Sequence, residues 1–155
     1  MSRPVRSPRR PGARVLGAAA LVLVPLALAG CTSTSVLDLK VGDCLQLPSE
    51  SSAATIERAK CTDSHEAEVS ALVTTDPKDA KASYPGADAL SQQAETGCVD
   101  SFEGYVGTPY VSSGLDVTWL TPTKQSWSEG DRTIVCLVHA MDAQELTTSV
   151  KDSKL

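Results

Sequence analysis

The spacing of the cysteines restricts the fold of this chain more than any other feature. Cys44, Cys61, Cys98 and Cys136 are separated by 17, 37 and 38 positions. Structural zinc sites usually take their ligands in close pairs of the C-x-x-C kind, and these spacings contain no such pair. An even number of cysteines in an oxidising compartment instead indicates disulfide bonds. We therefore expect one domain held by two cross-links.

The fifth cysteine, Cys31, follows a different kind of segment. Residues 1–14 carry five arginines and no acidic residue, and the next fifteen residues form an apolar run that ends in small residues. This arrangement is typical of an export signal, and the apolar run is shorter than the ~20 residues that a membrane-spanning helix needs. Residues 28–31, Leu-Ala-Gly-Cys, resemble the lipobox of bacterial lipoproteins. The resemblance implies a signal peptide over residues 1–30 and a palmitate-type lipid anchor on Cys31.

Removal of residues 1–30 leaves an acidic domain. Five of the fourteen Lys and Arg residues lie in that segment, so nine remain against nineteen Asp and Glu, a net charge of −10. Nucleic-acid-binding proteins need a basic surface, which excludes that class of partner. An acidic surface is also repelled by anionic lipid headgroups. We therefore expect the anchor to hold the protein on the extracytoplasmic face of the cell membrane.

Hydrophobic periodicity predicts the element order β-β-β-α-β-β. The strands are predicted at residues 39–47, 54–60, 66–74, 115–121 and 132–141. In the third strand Ala67, Val69, Ala71 and Val73 alternate with polar residues, which predicts that these four share one face. This order is typical of an α+β domain in which one helix packs on a face of a small antiparallel sheet.

The predicted helix places one apolar face against that sheet. Its apolar residues recur every three or four positions, at Leu90, Ala94, Cys98, Phe102 and Tyr105. Gly97 lies inside this helix and suits a close approach to another element. The predicted boundaries are a lipidated cysteine and short tether at 31–38, a domain at 39–143 and a flexible polar tail at 144–155.

The predicted faces favour one disulfide pairing among the three that four cysteines allow. Cys98 lies on the apolar face of the helix and Cys136 on the apolar face of the last strand. A bond between them would join the helix to the sheet. Cys44 and Cys61 would then connect the first two strands.

Taken in order, these motifs resemble the septum formation family, an extracytoplasmic domain of actinobacterial envelope proteins. The resemblance is carried by Val41-Gly42-Asp43-Cys44, Cys61, Ser64-His65-Glu66-Ala67-Glu68-Val69, Cys98, Phe102, Tyr105-Val106-Gly107, Pro122, Trp127, Gly130-Asp131-Arg132 and Cys136. The usual family pattern has proline before the histidine, where this chain has Ser64. The resemblance implies a cysteine-bridged, often membrane-tethered envelope domain linked to cell division. It implies no catalytic mechanism and no ligand.

The segment around His65 is the first candidate site. Asp63, His65, Glu66 and Glu68 place three carboxylates and an imidazole within six residues. Such a cluster suits a weak metal site or a pH-responsive contact. Strand alternation separates His65 from Glu66 and Glu68, however. We therefore expect His65 to close a turn through hydrogen bonds, and the two glutamates to form a solvated edge.

Trp127 and Arg132 form the second candidate site. An exposed tryptophan can anchor a partner protein or stack on a glycan, and a nearby arginine can bind a carboxylate or phosphate. In the alternative, Trp127 covers a sheet edge and Arg132 pairs with Asp131, Glu129 or Asp43. The scarcity of aromatic residues favours this second, structural interpretation.

The sequence predicts no enzyme and no cofactor. It contains no Gly-x-Ser-x-Gly elbow and no glycine-rich phosphate loop, and its two histidines are His65 and His139, the latter predicted to be packed. We expect a non-enzymatic binding or scaffolding lipoprotein whose partner is an envelope or division protein. The alternatives are an envelope enzyme or accessory protein acting on cell-wall glycan, with two carboxylates about 5 to 9 Å apart, and a small-ligand or metal carrier centred on His65.

Overall fold

The computed structural model describes residues 33–51 and 53–155. The predicted signal peptide and Cys31 lie outside the described residues.

One antiparallel sheet organises the domain, in the spatial order β1-β3-β2-β4-β6-β5. Its six strands are β1 (Ser33–Ser35), β2 (Cys44–Leu45), β3 (Thr55–Ala59), β4 (Ala67–Thr74), β5 (Leu115–Leu120) and β6 (Thr133–Ala140). A long helix, α1 (Ala87–Val106), connects β4 to β5, and a short one, α2 (Lys124–Ser128), connects β5 to β6. The predicted α+β class, with one main helix on an antiparallel sheet, is confirmed.

The N-terminal part of the sheet differs from the prediction. Ser33–Ser35, expected to be a free tether, forms β1 and pairs with β3. The strand predicted over residues 39–47 shortens to Cys44–Leu45. Small polar residues carry no apolar pattern, but their backbone groups can still pair with the open edge of a neighbouring strand. The sheet therefore begins two residues after Cys31.

A β-bulge in β4 divides the face that the sequence predicted to be continuous. The register with β6 shifts between Val69 and Ala71. Ala67 and Val69 therefore lie in a core cluster on one face, whereas Ala71 and Val73 pack on the other face with α1. One extra residue reverses the alternation of every later side chain. The prediction that these four residues share one face is wrong.

The sheet is covered on both faces. On one face, α1 packs against β6, and the residues in this contact include Cys98 and Phe102 of the helix and Cys136 and Val138 of the strand. The opposite face carries a second cluster, formed by Leu39, Leu45, Ile56, Ala67, Val69, Leu120, Val135 and Leu137, with Val36 and Leu47 packed against it. The second cluster lies under the N-terminal segment and the loop after β2.

Gly97 brings α1 close to β4, as the sequence suggested. A Cβ at this position would lie 2.9 Å from Cγ1 of Val73, whereas a Cβ at Gly104 on the same helix would meet nothing within 4 Å. Gly97→Ala is therefore expected to destabilise the domain by about 1–3 kcal/mol through overpacking. Gly104→Ala is expected to stabilise it by about 0.5–1 kcal/mol, because alanine is the better helix former. Urea unfolding of the two variants should give shifts of opposite sign, and shifts of the same sign would contradict this packing.

The C-terminal segment is packed against the domain, so the prediction of a flexible tail at 144–155 is wrong. Leu146 forms an isolated β-bridge with His65. The side chain of Val150 is 1% exposed. The backbone N–H groups of Asp152 and Lys154 donate to the last carbonyls of α1, each at 2.9 Å. These contacts use carbonyls that a helix end leaves without intrahelical partners, a source of order that a polar sequence does not reveal.

Candidate functional site

The two disulfides have the predicted pairing. Cys44 is bonded to Cys61 and Cys98 to Cys136, with Cα–Cα distances of 5.2 and 5.3 Å. Cys98 and Cys136 are both fully buried where α1 meets the sheet. The second bond therefore fixes the helix to β6, while the first joins β2 to the turn that follows β3.

Trp127 is an internal side chain and not an exposed anchor. The short helix α2 begins with a capping box between Thr123 and Ser126, which sets the direction of its single turn. Trp127 on that turn is 3% exposed, and its indole Nε1 donates to the carbonyl of Ala82 at 2.8 Å. Tyr84 packs edge-on against the indole with ring centroids 5.8 Å apart. The tryptophan therefore binds the loop before α1 to α2.

Arg132 completes the same junction by packing its guanidinium over the indole ring. Its guanidinium carbon lies 3.6 Å from the centre of the Trp127 ring, and the residue is 8% exposed. Its nitrogens donate to four backbone carbonyls, those of Asp79, Ala80, Trp127 and Asp131, at 2.6 to 3.2 Å. The hypothesis that Trp127 and Arg132 form an exposed contact for a partner is therefore wrong. The expected pairing of Arg132 with a carboxylate is also wrong, because backbone oxygens occupy its donors.

Arg132→Lys is expected to destabilise the domain by about 2–4 kcal/mol. A lysine cannot reproduce the planar set of donors, so the buried carbonyl of Trp127 and the partly buried carbonyls around it would lose partners. Arg58→Lys is the matched control, since Arg58 is about one-third exposed and its ion pair with Asp43 can be kept by an ammonium group. Urea unfolding measures both. Equal losses in the two variants would contradict a structural role for Arg132.

His65 closes a turn, as predicted, but it is entirely buried. Its ring Nδ1 lies 2.8 Å from the carbonyl oxygen of Asp63, and its side chain is 0% exposed. Its backbone exchanges hydrogen bonds with Leu146 at 2.7 and 3.0 Å. Ser64 donates to the carboxylate of Glu145. Both residues therefore hold the C-terminal segment.

The carboxylates near His65 do not converge on it. The Asp63 side chain is exposed, and a Glu66 oxygen accepts the backbone N–H of Leu47 at 2.7 Å. Glu68 lies on the opposite face of β4 from Ala67, towards α1. The described residues therefore provide no shared ligand set centred on the His65 ring.

Glu68 is a polar residue whose predicted position is wrong. It was predicted to lie on a solvated edge with Glu66, but it is 1% exposed. Its carboxylate accepts hydrogen bonds from the Tyr105 hydroxyl, from Ser149 Oγ at 2.7 Å and from the backbone N–H of Val150 at 2.7 Å. Burial, and next the hydrogen bond to Glu68, raise the pKa of Tyr105 above its ordinary value. Glu68 thus joins β4, α1 and the C-terminal segment.

Within the described part of the chain, one group of metal-ligand atoms lies close together. The sulfurs of Cys44 and Cys61 and a Glu68 oxygen lie within 4.8 Å of one another. The two sulfurs are bonded to each other. They therefore do not provide the thiolates that a zinc site requires.

Two surface clefts are lined by histidine and carboxylate side chains, which are residue types that act in catalysis or ligand binding in other proteins. The first, of about 260 Å³, lies between the loop at 47–51 and β5–β6 and includes His139 and Glu50. The predicted packed histidine is therefore half-buried beside a cleft. A hydrogen bond from Tyr110, at 2.5 Å, lowers the pKa of Asp116, which faces His139 across the strands.

The second cleft, of about 280 Å³, includes Glu129 and Asp131. The two oxygens of Asp131 accept from Ser126 Oγ and from the backbone N–H of Thr133, each at 3.0 Å. Glu129 accepts from Gln125 at 3.2 Å. The Asp131 carboxylate therefore serves to fix the end of α2 and the start of β6.

These features define a two-disulfide α+β domain whose most buried polar groups hold its own segments together. The septum formation family model matches residues 41–154, and the chain belongs to that family. No curated protein and no solved structure matches it. None of the helices in the described residues has the length and apolar character needed to cross a bilayer.

Proposed function

We propose that this protein is an envelope lipoprotein, held on the extracytoplasmic face of the cell membrane by acylated Cys31, and that its domain is a non-enzymatic binding or scaffolding module in septum formation. Membership of the septum formation family supports the link to division. The resemblance of residues 28–31 to a lipobox supports the anchor.

The start of β1 is the observation that carries the proposal. β1 begins at Ser33, two positions after Cys31. Two residues span at most about 7 Å. An acylated Cys31 would therefore hold the folded domain directly against the lipid headgroups, where a module that collects other membrane proteins needs to be.

A binding role is favoured over catalysis by the way the reactive side chains are used. The side chains of Trp127, Arg132 and Glu68 each bind another segment of the same domain. Groups that are saturated by internal partners have little capacity left for a substrate. The outer surface, rather than a cleft, is then the part offered to a partner.

The anchor is tested by Cys31→Ser in the native host. The wild-type protein is expected to be found in the membrane fraction and to incorporate an alkyne analogue of palmitate. The variant is expected to lose the label and to accumulate as an unprocessed precursor. Cys61→Ser is the matched control, because it should keep the label. Labelling of the Cys31 variant would contradict the anchor.

The scaffolding role is tested by photo-crosslinking in intact cells. A photoreactive residue at exposed Val111 is expected to capture division proteins, and one at buried Leu45 should not. Capture of unrelated lipoproteins alone, or release of labelled glycan fragments by the purified protein, would contradict the proposal.

A further inference from the structure

Two exposed leucines flank one shallow groove at an end of the sheet. Leu37, in the short 3-10 helix that follows β1, is 61% exposed, and Leu72 in β4 is 43% exposed. They line the same groove of about 100 Å³, which Val36, Leu120 and Val135 also line. We call Leu37, Leu72 and Val36 the apolar rim.

The apolar rim lies beside the N-terminal segment of the domain. Val36 follows β1 directly, and its backbone N–H donates to the carbonyl of Ala54 at 3.1 Å. Leu37 is six residues after Cys31, a distance of at most about 20 Å along the chain. Two other exposed apolar side chains, Val111 and Met141, precede the start of β5 and follow the end of β6, at the end of the sheet where Leu115 pairs with Ala140.

We propose that the apolar rim is a membrane-contact surface, through which the anchored domain inserts Leu37 and Leu72 into the headgroup region of its own bilayer. This inference rests on the proposed function, since acylated Cys31 supplies the proximity. Apolar side chains that reach the headgroup boundary leave water, and they add to the attachment that the lipid chains provide.

The charges near the groove favour neutral over anionic lipid. Asp131 lines the groove, but both of its oxygens accept hydrogen bonds from Ser126 and Thr133. Asp38 beside Leu37 is exposed. With a net charge of −10 after signal removal, the domain should contact phosphatidylcholine more closely than a bilayer rich in phosphatidylglycerol.

The test uses the acylated protein in phosphatidylcholine nanodiscs, with methyl-labelled leucine, valine and methionine. Headgroups carrying gadolinium are compared with headgroups carrying a diamagnetic ion. The methyl signals of the apolar rim, Leu37, Leu72 and Val36, are expected to lose more than half of their intensity. Those of Val111 and Met141 should keep more than four-fifths of theirs. Half-replacement by phosphatidylglycerol should reduce the loss at the rim at least twofold.

Two double variants separate contact from anchoring. Leu37→Asp/Leu72→Asp should restore at least half of the lost Val36 intensity, while Val111→Asp/Met141→Asp should leave the rim signals as in the wild type. Co-elution of protein and nanodisc reports the anchor by itself, so its loss would contradict the proposed function. Co-elution with unbroadened rim signals, or with broadening at Val111 instead, would overturn the membrane-contact surface.

Discussion

Glu68→Ala is expected to lower the free energy of unfolding by about 3 kcal/mol and to release the C-terminal segment. The carboxylate accepts from Tyr105, Ser149 and Val150 inside the fold. Its removal leaves three donors without their acceptor, each costing about 1–3 kcal/mol when it stays buried. Part of that cost is offset, because a buried charge no longer has to be kept out of water.

The measurement combines urea unfolding with hydrogen exchange over residues 146–154. Exchange there should accelerate at least tenfold in Glu68→Ala, while exchange in α1 between residues 90 and 98 should change in proportion to the global stability alone. Glu66→Ala is the matched control, two positions away on an exposed side chain with one backbone donor. It is expected to lose less than about 1 kcal/mol. Unchanged exchange at 146–154 in Glu68→Ala would contradict this role of Glu68.

Removal of the Cys98–Cys136 disulfide is expected to have the largest effect of all. The bond closes a loop of 38 positions, and the loop-entropy model gives about 4 kcal/mol for that length, against about 3 kcal/mol for the 17 positions of Cys44–Cys61. Both sulfurs of the longer bridge are fully buried, so alanine at the two positions also removes packing.

The comparison uses Cys98→Ala/Cys136→Ala and Cys44→Ala/Cys61→Ala. Urea unfolding should rank the first pair as the less stable, with a difference of at least about 1 kcal/mol. If the first pair does not fold, the wild-type protein can be titrated with a reductant, and loss of near-ultraviolet circular dichroism should coincide with reduction of Cys98–Cys136. If Cys98→Ala/Cys136→Ala were as stable as Cys44→Ala/Cys61→Ala, the larger stabilisation assigned to the Cys98–Cys136 bond would be contradicted.

The Cys98–Cys136 bond could be predicted because the helical period places Cys98 on the apolar face of α1 and strand alternation places Cys136 on an apolar face of β6. Cys98 recurs with Leu90, Ala94 and Phe102, and Cys136 with Val138, so both had to face the same interior. Continuous alternation could not reveal the bulge between Val69 and Ala71, since the apolar residues on either side of it still occupy odd positions. β1 escaped prediction because backbone pairing orders it, and the C-terminal segment did so because its partners are backbone groups and side chains far away in the sequence.

The candidate sites were predictable where the hydrogen-bond partner is close in the sequence and were misjudged where it is distant. The turn at His65 was predictable from a local hydrogen-bonding residue beside a cysteine. Trp127 and Arg132 were identified as a pair, but the carbonyls through which they bind another segment are at residues 79–82, about fifty positions earlier. Nothing in the sequence marks a carbonyl as a partner. Glu68 failed for a similar reason, because its donors lie 37 to 82 positions away.

The attachment of residues 146–154 to the domain has a consequence for the order in which the protein matures. These residues leave the ribosome after every residue that they bind, including His65, Glu68 and Tyr105. Until then the Glu68 carboxylate stays hydrated and the end of α1 lacks its last backbone partners. Both cysteine pairs, by contrast, are complete once residue 136 has emerged. Cross-linking can therefore precede the closing of the fold, which waits for residues 146–154.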